Sequence, residues 1–124
     1  MKHLSLASLT AFTALAFAMG TTPGFASEDL AKSKGCTACH QVEKKVIGPA
    51  YAQVSACYAS KDAKKLAANK AALVKHVKEG GAGVWGQIPM PAHPQVANED
   101  VAKIVDWVMT LKPSECPSEF KPKS

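Results

Sequence analysis

The chain has 124 residues, which is one domain by length. Its formal charge is +5, carried by fifteen basic residues that are all lysine. With no arginine and no aromatics interleaved among the lysines, the composition argues against nucleic-acid binding.

Residues 1–26 read as a secretory leader. Lys2 and His3 give a short basic start, residues 4–18 are uncharged and apolar apart from Ser and Thr, and Gly24-Phe25-Ala26 offers small residues at a cleavage site. Ala16-Phe17-Ala18 is a second possible cut. The alternative is a membrane anchor, but the apolar run is shorter than the roughly 20 residues a span needs. The expectation is a cleaved signal peptide over 1–26, no transmembrane anchor, and an exported domain over 27–124 in the periplasm. That domain keeps only Tyr51, Tyr58, Trp85, Trp107 and Phe120 as aromatics. So few large apolar groups make a poor core for a small domain, and a buried cofactor would supply the missing bulk.

The remainder predicts an all-α protein of about four helices. There is no alternating strand pattern, and Ala and Lys are abundant. The first helix is expected over 28–34, with Glu28 and Asp29 at its positive end. The second is expected over 51–59, after Gly48-Pro49. The third is expected over 62–79, with Leu66, Leu73, Val74 and Val77 as its apolar stripe and Gly80-Gly81 as its stop. The fourth is expected over 98–111, with Asn98 as N-cap, an apolar face of Val101, Ile104, Val105, Val108 and Leu111, and Pro113 beyond its end. Between the last two, residues 80–97 hold four glycines and three prolines and cannot be regular helix. Residues 113–124 read as an irregular C-terminal extension. Eight lysines lie between Lys44 and Lys78. They read as a solvated surface that also forms a positive face toward an acidic partner.

Cys36-Thr37-Ala38-Cys39-His40 carries the chemistry. A C-x-x-C-H run in an exported chain is the attachment signal for c-type haem. Two thiols three positions apart reach the two vinyl groups of one haem, and the next residue places its imidazole under the iron. Three other readings compete. A thioredoxin-like pair wants a βαβ context, a zinc site wants a second ligand pair, and a plain Cys36–Cys39 disulfide leaves His40 unexplained. The iron then needs a sixth ligand or an open site. Met90, between Pro89 and Pro91, sits in a rigid setting, and its soft thioether raises the reduction potential. His93, three residues on, is the rival. Met109 reads as helix core, and His76 as a solvated surface residue.

Lys34-Gly35-Cys36-Thr37-Ala38-Cys39-His40, Val46-Ile47-Gly48-Pro49-Ala50-Tyr51, Gly83-Val84-Trp85-Gly86-Gln87-Ile88-Pro89-Met90-Pro91 and the late Trp107-Val108 pair together resemble the small class I cytochromes c of the c-551/c-552 group. That resemblance implies the class I cytochrome c fold wrapped round one covalent haem c, with His40 and Met90 as axial ligands. It also implies that the Pro49 carbonyl accepts the ring N–H of His40, that Trp85 hydrogen-bonds a haem propionate, and that Gly35 lets the first and last helices cross closely. The implied function is a single-electron carrier, not an enzyme, and a monomer. It would meet redox partners with acidic surfaces, such as a quinol-oxidising complex upstream and a terminal oxidase or nitrite reductase downstream. Rivals are an open-iron sensor, a peroxidase-like enzyme and an accessory subunit of a larger complex.

Two features depart from the group. Met90-Pro91-Ala92-His93 lacks the Asn that often follows the ligand there. Cys57 and Cys116 are additional, and in an oxidising compartment two leftover cysteines tend to pair. A disulfide would pin the extension to the body; the alternative is two free thiols.

Overall fold

A computed structural model describes the backbone of residues 23–121 and the side chains of 27–121, so most of the expected leader lies outside the described residues. Four helices follow one another: α1 (Pro23–Ser33), α2 (Tyr51–Tyr58), α3 (Ala63–Glu79) and α4 (Asn98–Val108), with a 3-10 turn at Cys36–Ala38 between the first two. Among the described residues the only extended pairing is two isolated bridges, His40 with Lys45 and Gly81 with Met90. No described helix is long and apolar enough to cross a membrane.

Helix α4 is the hub, packing against α1, α2 and α3. Its buried face is Val101, Ile104, Val105, Trp107 and Val108, the heptad-like stripe that the sequence predicts, with Trp107 added. Against it lie Ala31 of α1, Tyr51 and Val54 of α2, and Leu73 of α3. Ala31 is 0% exposed, and its single methyl is what lets α1 and α4 approach. Lys34 at the end of α1 reaches Asp100 in the first turn of α4 at 3.0 Å, which fixes the register of that crossing.

The helix ends differ from expectation in three places. α1 begins at Pro23 rather than 28, because proline needs no N–H partner at a first helical position. Asn98 lies inside α4, and Ala97 is the N-cap without a side-chain bond. α4 also closes at Val108 rather than 111. There the bonds tighten to Thr110 N–H→Trp107 O and Leu111 N–H→Val108 O, and the Thr110 hydroxyl takes the Trp107 carbonyl as well, at 2.6 Å. The cap of α3 is Asp62, whose carboxylate accepts from Lys65 N–H at 2.8 Å.

The connection into α2 is bound tightly. Its first amides, Tyr51 and Ala52, donate to the carbonyls of Gln41 and Val42, both at 2.9 Å. The Gln53 side chain accepts from Ala50 N–H at 3.0 Å. The far side of α2 holds the C-terminal extension. Ser114 N–H donates to Ala52 O at 3.1 Å, the buried Ser55 hydroxyl donates to Leu111 O at 3.0 Å, and Cys57 is bonded to Cys116. The bridge spans 59 positions, and a ring of that size is worth about 4 kcal/mol in the chain-entropy model. Replacing both cysteines by serine should therefore lower the unfolding free energy from a denaturant titration of the haem-loaded protein by most of that amount, with a matching fall in the midpoint. An unchanged midpoint would mean that the tail is held by its other contacts alone.

Candidate functional site

The C-x-x-C-H segment is shaped by one glycine. Gly35 has φ 77°, the left-handed conformation that turns the chain out of α1 into the 3-10 turn. A Cβ on Gly35 would meet nothing within 4 Å. Gly35 thus supplies backbone freedom and not the helix-crossing clearance that the resemblance implies; Ala31 provides that clearance. In the turn, Cys39 N–H and His40 N–H both donate to Cys36 O, at 3.2 and 3.0 Å. The Cys36 and Cys39 thiols are free of any disulfide and half-buried. Burial pushes the Cys36 thiol up, the opposite of the activated thiolate that a thioredoxin-like pair needs. Among the described residues no group of His, Cys, Asp or Glu side chains converges as a metal cage, so the zinc reading lacks its ligands.

His40 is oriented from three directions. Its Nδ1 lies 2.9 Å from the buried Pro49 carbonyl, so that nitrogen is the donor and Nε2 keeps its lone pair. Its ring stacks on Tyr51 at 5.3 Å, and Tyr51 in turn meets Trp107 edge-on at 5.3 Å, which ties the imidazole to α4. Burial holds the imidazole below the usual histidine range, the Pro49 contact opposes this, and His93 adds slightly to the lowering. The third support is Gly48. A Cβ there would fall 2.7 Å from Nδ1 and 2.9 Å from Nε2 of His40. Gly48 has no positive φ, so clearance is what this glycine supplies. Gly48→Ala should push the ring off its position at an overpacking cost of about 1–3 kcal/mol. The readout is a lowered thermal midpoint together with a disturbed low-spin haem spectrum. A wild-type spectrum in that variant would show that the ring has room to spare.

Met90 is held by its backbone. Gly81 and Met90 exchange both hydrogen bonds, at 3.0 and 2.8 Å. The Met90 carbonyl passes so close to Gly80 that a Cβ there would lie 2.5 Å from it. Beyond Met90, Lys78 donates to the carbonyls of Pro94, at 2.8 Å, and of Val96, and His93 N–H donates to Val77 O at 3.0 Å. Met109 packs on the core at the end of α4.

Cys36, Cys39, His40 and Met90 line one cavity of about 330 Å³. Its walls are largely apolar, with Val54, Leu73, Val77, Val101, Ile104 and Val105 among them. Pro49, Trp85 and His93 also line it. So does His76, which is half-buried; the solvated role expected from its lysine-rich helix does not hold. Protein interiors are close-packed, so an apolar space of this size in so small a domain calls for a bulky apolar occupant. A haem fits it, with two thiols for covalent attachment, an imidazole with its tautomer already set, and a thioether on the same cavity.

The fold and this site define an all-α protein whose largely apolar cavity, edged by C-x-x-C-H, suits a haem. A cytochrome c family model matches residues 26–112. Cytochrome c-552 of Nitrosomonas europaea is 49% identical over 88 residues, 70% of this chain and 80% of that protein. Cytochrome c-551 of Azotobacter vinelandii is 41% identical over 85 residues, 68% of this chain and 96% of that one. The crystal structure of wild-type Nitrosomonas europaea cytochrome c552 matches with a TM-score of 0.61 at 47% identity, over 68% of this chain and 99% of that one. The chain belongs to the cytochrome c family, with the class I fold and one covalent haem c, and it is a haem-based electron carrier.

Several supports of the site escape sequence reasoning: Gly48 against His40, Tyr51 under its ring, the Gly81–Met90 bridge and the Lys78 bonds. The Gly48-Pro49 and Gly80-Gly81 pairs mark where the chain turns, but nothing local says which side chain each glycine must clear.

Proposed function

We propose that the protein is a periplasmic single-electron carrier in which His40 and Met90 fill both axial positions of a haem attached through Cys36 and Cys39. Held by these residues, a haem would supply one-electron chemistry at its iron. The observation that carries the reading is the shared cavity: an imidazole locked by Pro49 and a thioether whose backbone is locked by Gly81 both face the space beside the two thiols. Rigid ligands move little when the charge on the iron changes, so little reorganisation opposes transfer. With His40 and Met90 both holding the iron, no open position would be left for a substrate, which favours a carrier over an enzyme. Trp85, on the wall of the same cavity, would hold a propionate.

Ile47 and Ile88 stand at the mouth of the cavity, 54% and 64% exposed, with Lys45 beside them. This apolar rim with lysine at hand suits brief docking to acidic redox proteins, a quinol-oxidising complex on one side and a terminal oxidase or nitrite reductase on the other. Residues 1–26 serve as the export leader, and 27–124 form the working monomer.

The test is spectroscopic. Protein purified from the periplasm should start near Ser27, carry the mass of one haem, and give a pyridine haemochrome of the c type. The ferric form should show the weak iron–thioether band near the red edge of the visible range, and the reduced form should not bind CO at neutral pH. Ready CO binding without that band would favour an open-iron sensor or peroxidase instead.

A further inference from the structure

We propose that residues 113–121 form a strap that holds the Met90 loop against the cavity, with Phe120 as its positioning residue; this rests on the axial reading of Met90. The family match ends at residue 112, so the strap lies outside the matched region. Its base is fixed to α2 by the Cys57–Cys116 bridge. Its tip reaches both loops that line the cavity. Phe120 sits between Tyr58, at 5.2 Å edge-on, and Trp85, at 4.7 Å. Lys121 N–H donates to the buried Val84 carbonyl at 2.9 Å, and Glu119 pairs with Lys45 at 3.2 Å.

The loop needs such a support. Gly80, Gly81, Gly83 and Gly86 all have positive φ, and at Gly83 and Gly86 a Cβ would meet nothing within 4 Å. Backbone of that kind is free to move and is not braced by its own neighbours. Gly81, Lys78 and Val77 secure the stretch from Met90 onward. The arm from Ala82 to Ile88 has Gly83 N–H→Gly86 O as its internal turn and Val84 and Trp85 turned inward, and the strap braces it from outside. An arm free to swing out would carry Met90 away from the iron for part of the time. Phe120 on Trp85 and Lys121 on Val84 keep that open population small.

The experiment uses ferric holoprotein and imidazole as a competing iron ligand. Phe120→Ala should raise apparent imidazole affinity about tenfold, the factor expected when an aromatic pair is lost from the closed state. It should weaken the iron–thioether band and speed amide hydrogen exchange over residues 81–90 while leaving α4 unchanged. Phe120→Tyr should restore all three. Unchanged imidazole affinity with the band intact in the wild type would overturn the strap. So would faster exchange spread equally over α4, which would make Phe120 an ordinary packing residue. A wild-type protein without the band would instead overturn the axial reading. In that case exchange over 81–90 decides the strap by itself, and no rise in Phe120→Ala refutes it.

Discussion

Replacing Cys36 and Cys39 together by alanine should give a chain with no covalent haem and no cooperative unfolding transition. The reason lies in where the apolar surface faces. Val101, Ile104 and Val105 of α4, Leu73 of α3 and Val54 of α2 belong to the core and also line the haem cavity. Without a haem this largely apolar surface, lining a space of about 330 Å³, has no partner and meets water instead. A small domain has only about 5–15 kcal/mol of stability to set against that loss. Loss of the haem therefore removes the fold's margin as well as its function. Circular dichroism through a denaturant titration of the double variant is the measurement. A sharp two-state transition at near-native helicity would show that the polypeptide is stable unaided.

Met90→Ala should leave the haem attached, since neither thiol is touched, but open the sixth position. The variant should lose the iron–thioether band, bind CO when reduced, and take up exogenous imidazole readily. Its reduction potential should fall by a sizeable share of the roughly 0.8 V range that axial ligands span, because the soft thioether favours the ferrous state. His93 sets an internal control. It lines the same cavity three residues on, so a variant that stays six-coordinate and refuses CO would mean that His93 has taken the vacated position. His93→Ala combined with Met90→Ala separates the two cases. Full retention of the band in Met90→Ala would remove Met90 from the iron altogether.

That Cys36, Cys39, His40 and Met90 come to one cavity was legible because each sits in a short run of distinctive spacing or flanking residues. C-x-x-C-H is one turn of chain, and the proline-flanked Met90 marks a rigid loop. The helices were legible from their apolar stripes, that of α4 above all. What the sequence hid is tertiary. Gly48 matters because His40 comes back over it, and Gly35 because of its φ and not its neighbours. Asn98 looks like a cap, yet the helix starts one residue earlier, where Ala97 already has the extended conformation of a cap. Phe120 looks like part of a loose tail until the fold brings it onto Trp85. In each case the missing information is which distant side chain arrives, and no local periodicity encodes that.

The backbone bonds from the start of α2 to Gln41 and Val42 bear on how the molecule is assembled. A helix whose first amides find their acceptors in the segment just after His40 is poorly tethered until that segment has taken its final path. α1 and α4 have complementary faces and an ion pair that do not depend on that segment, whereas the start of α2 does. During maturation the stretch around Cys36 and Cys39 would thus stay accessible to whatever enzyme joins porphyrin to sulfur, and the ring would be enclosed only after it has been attached.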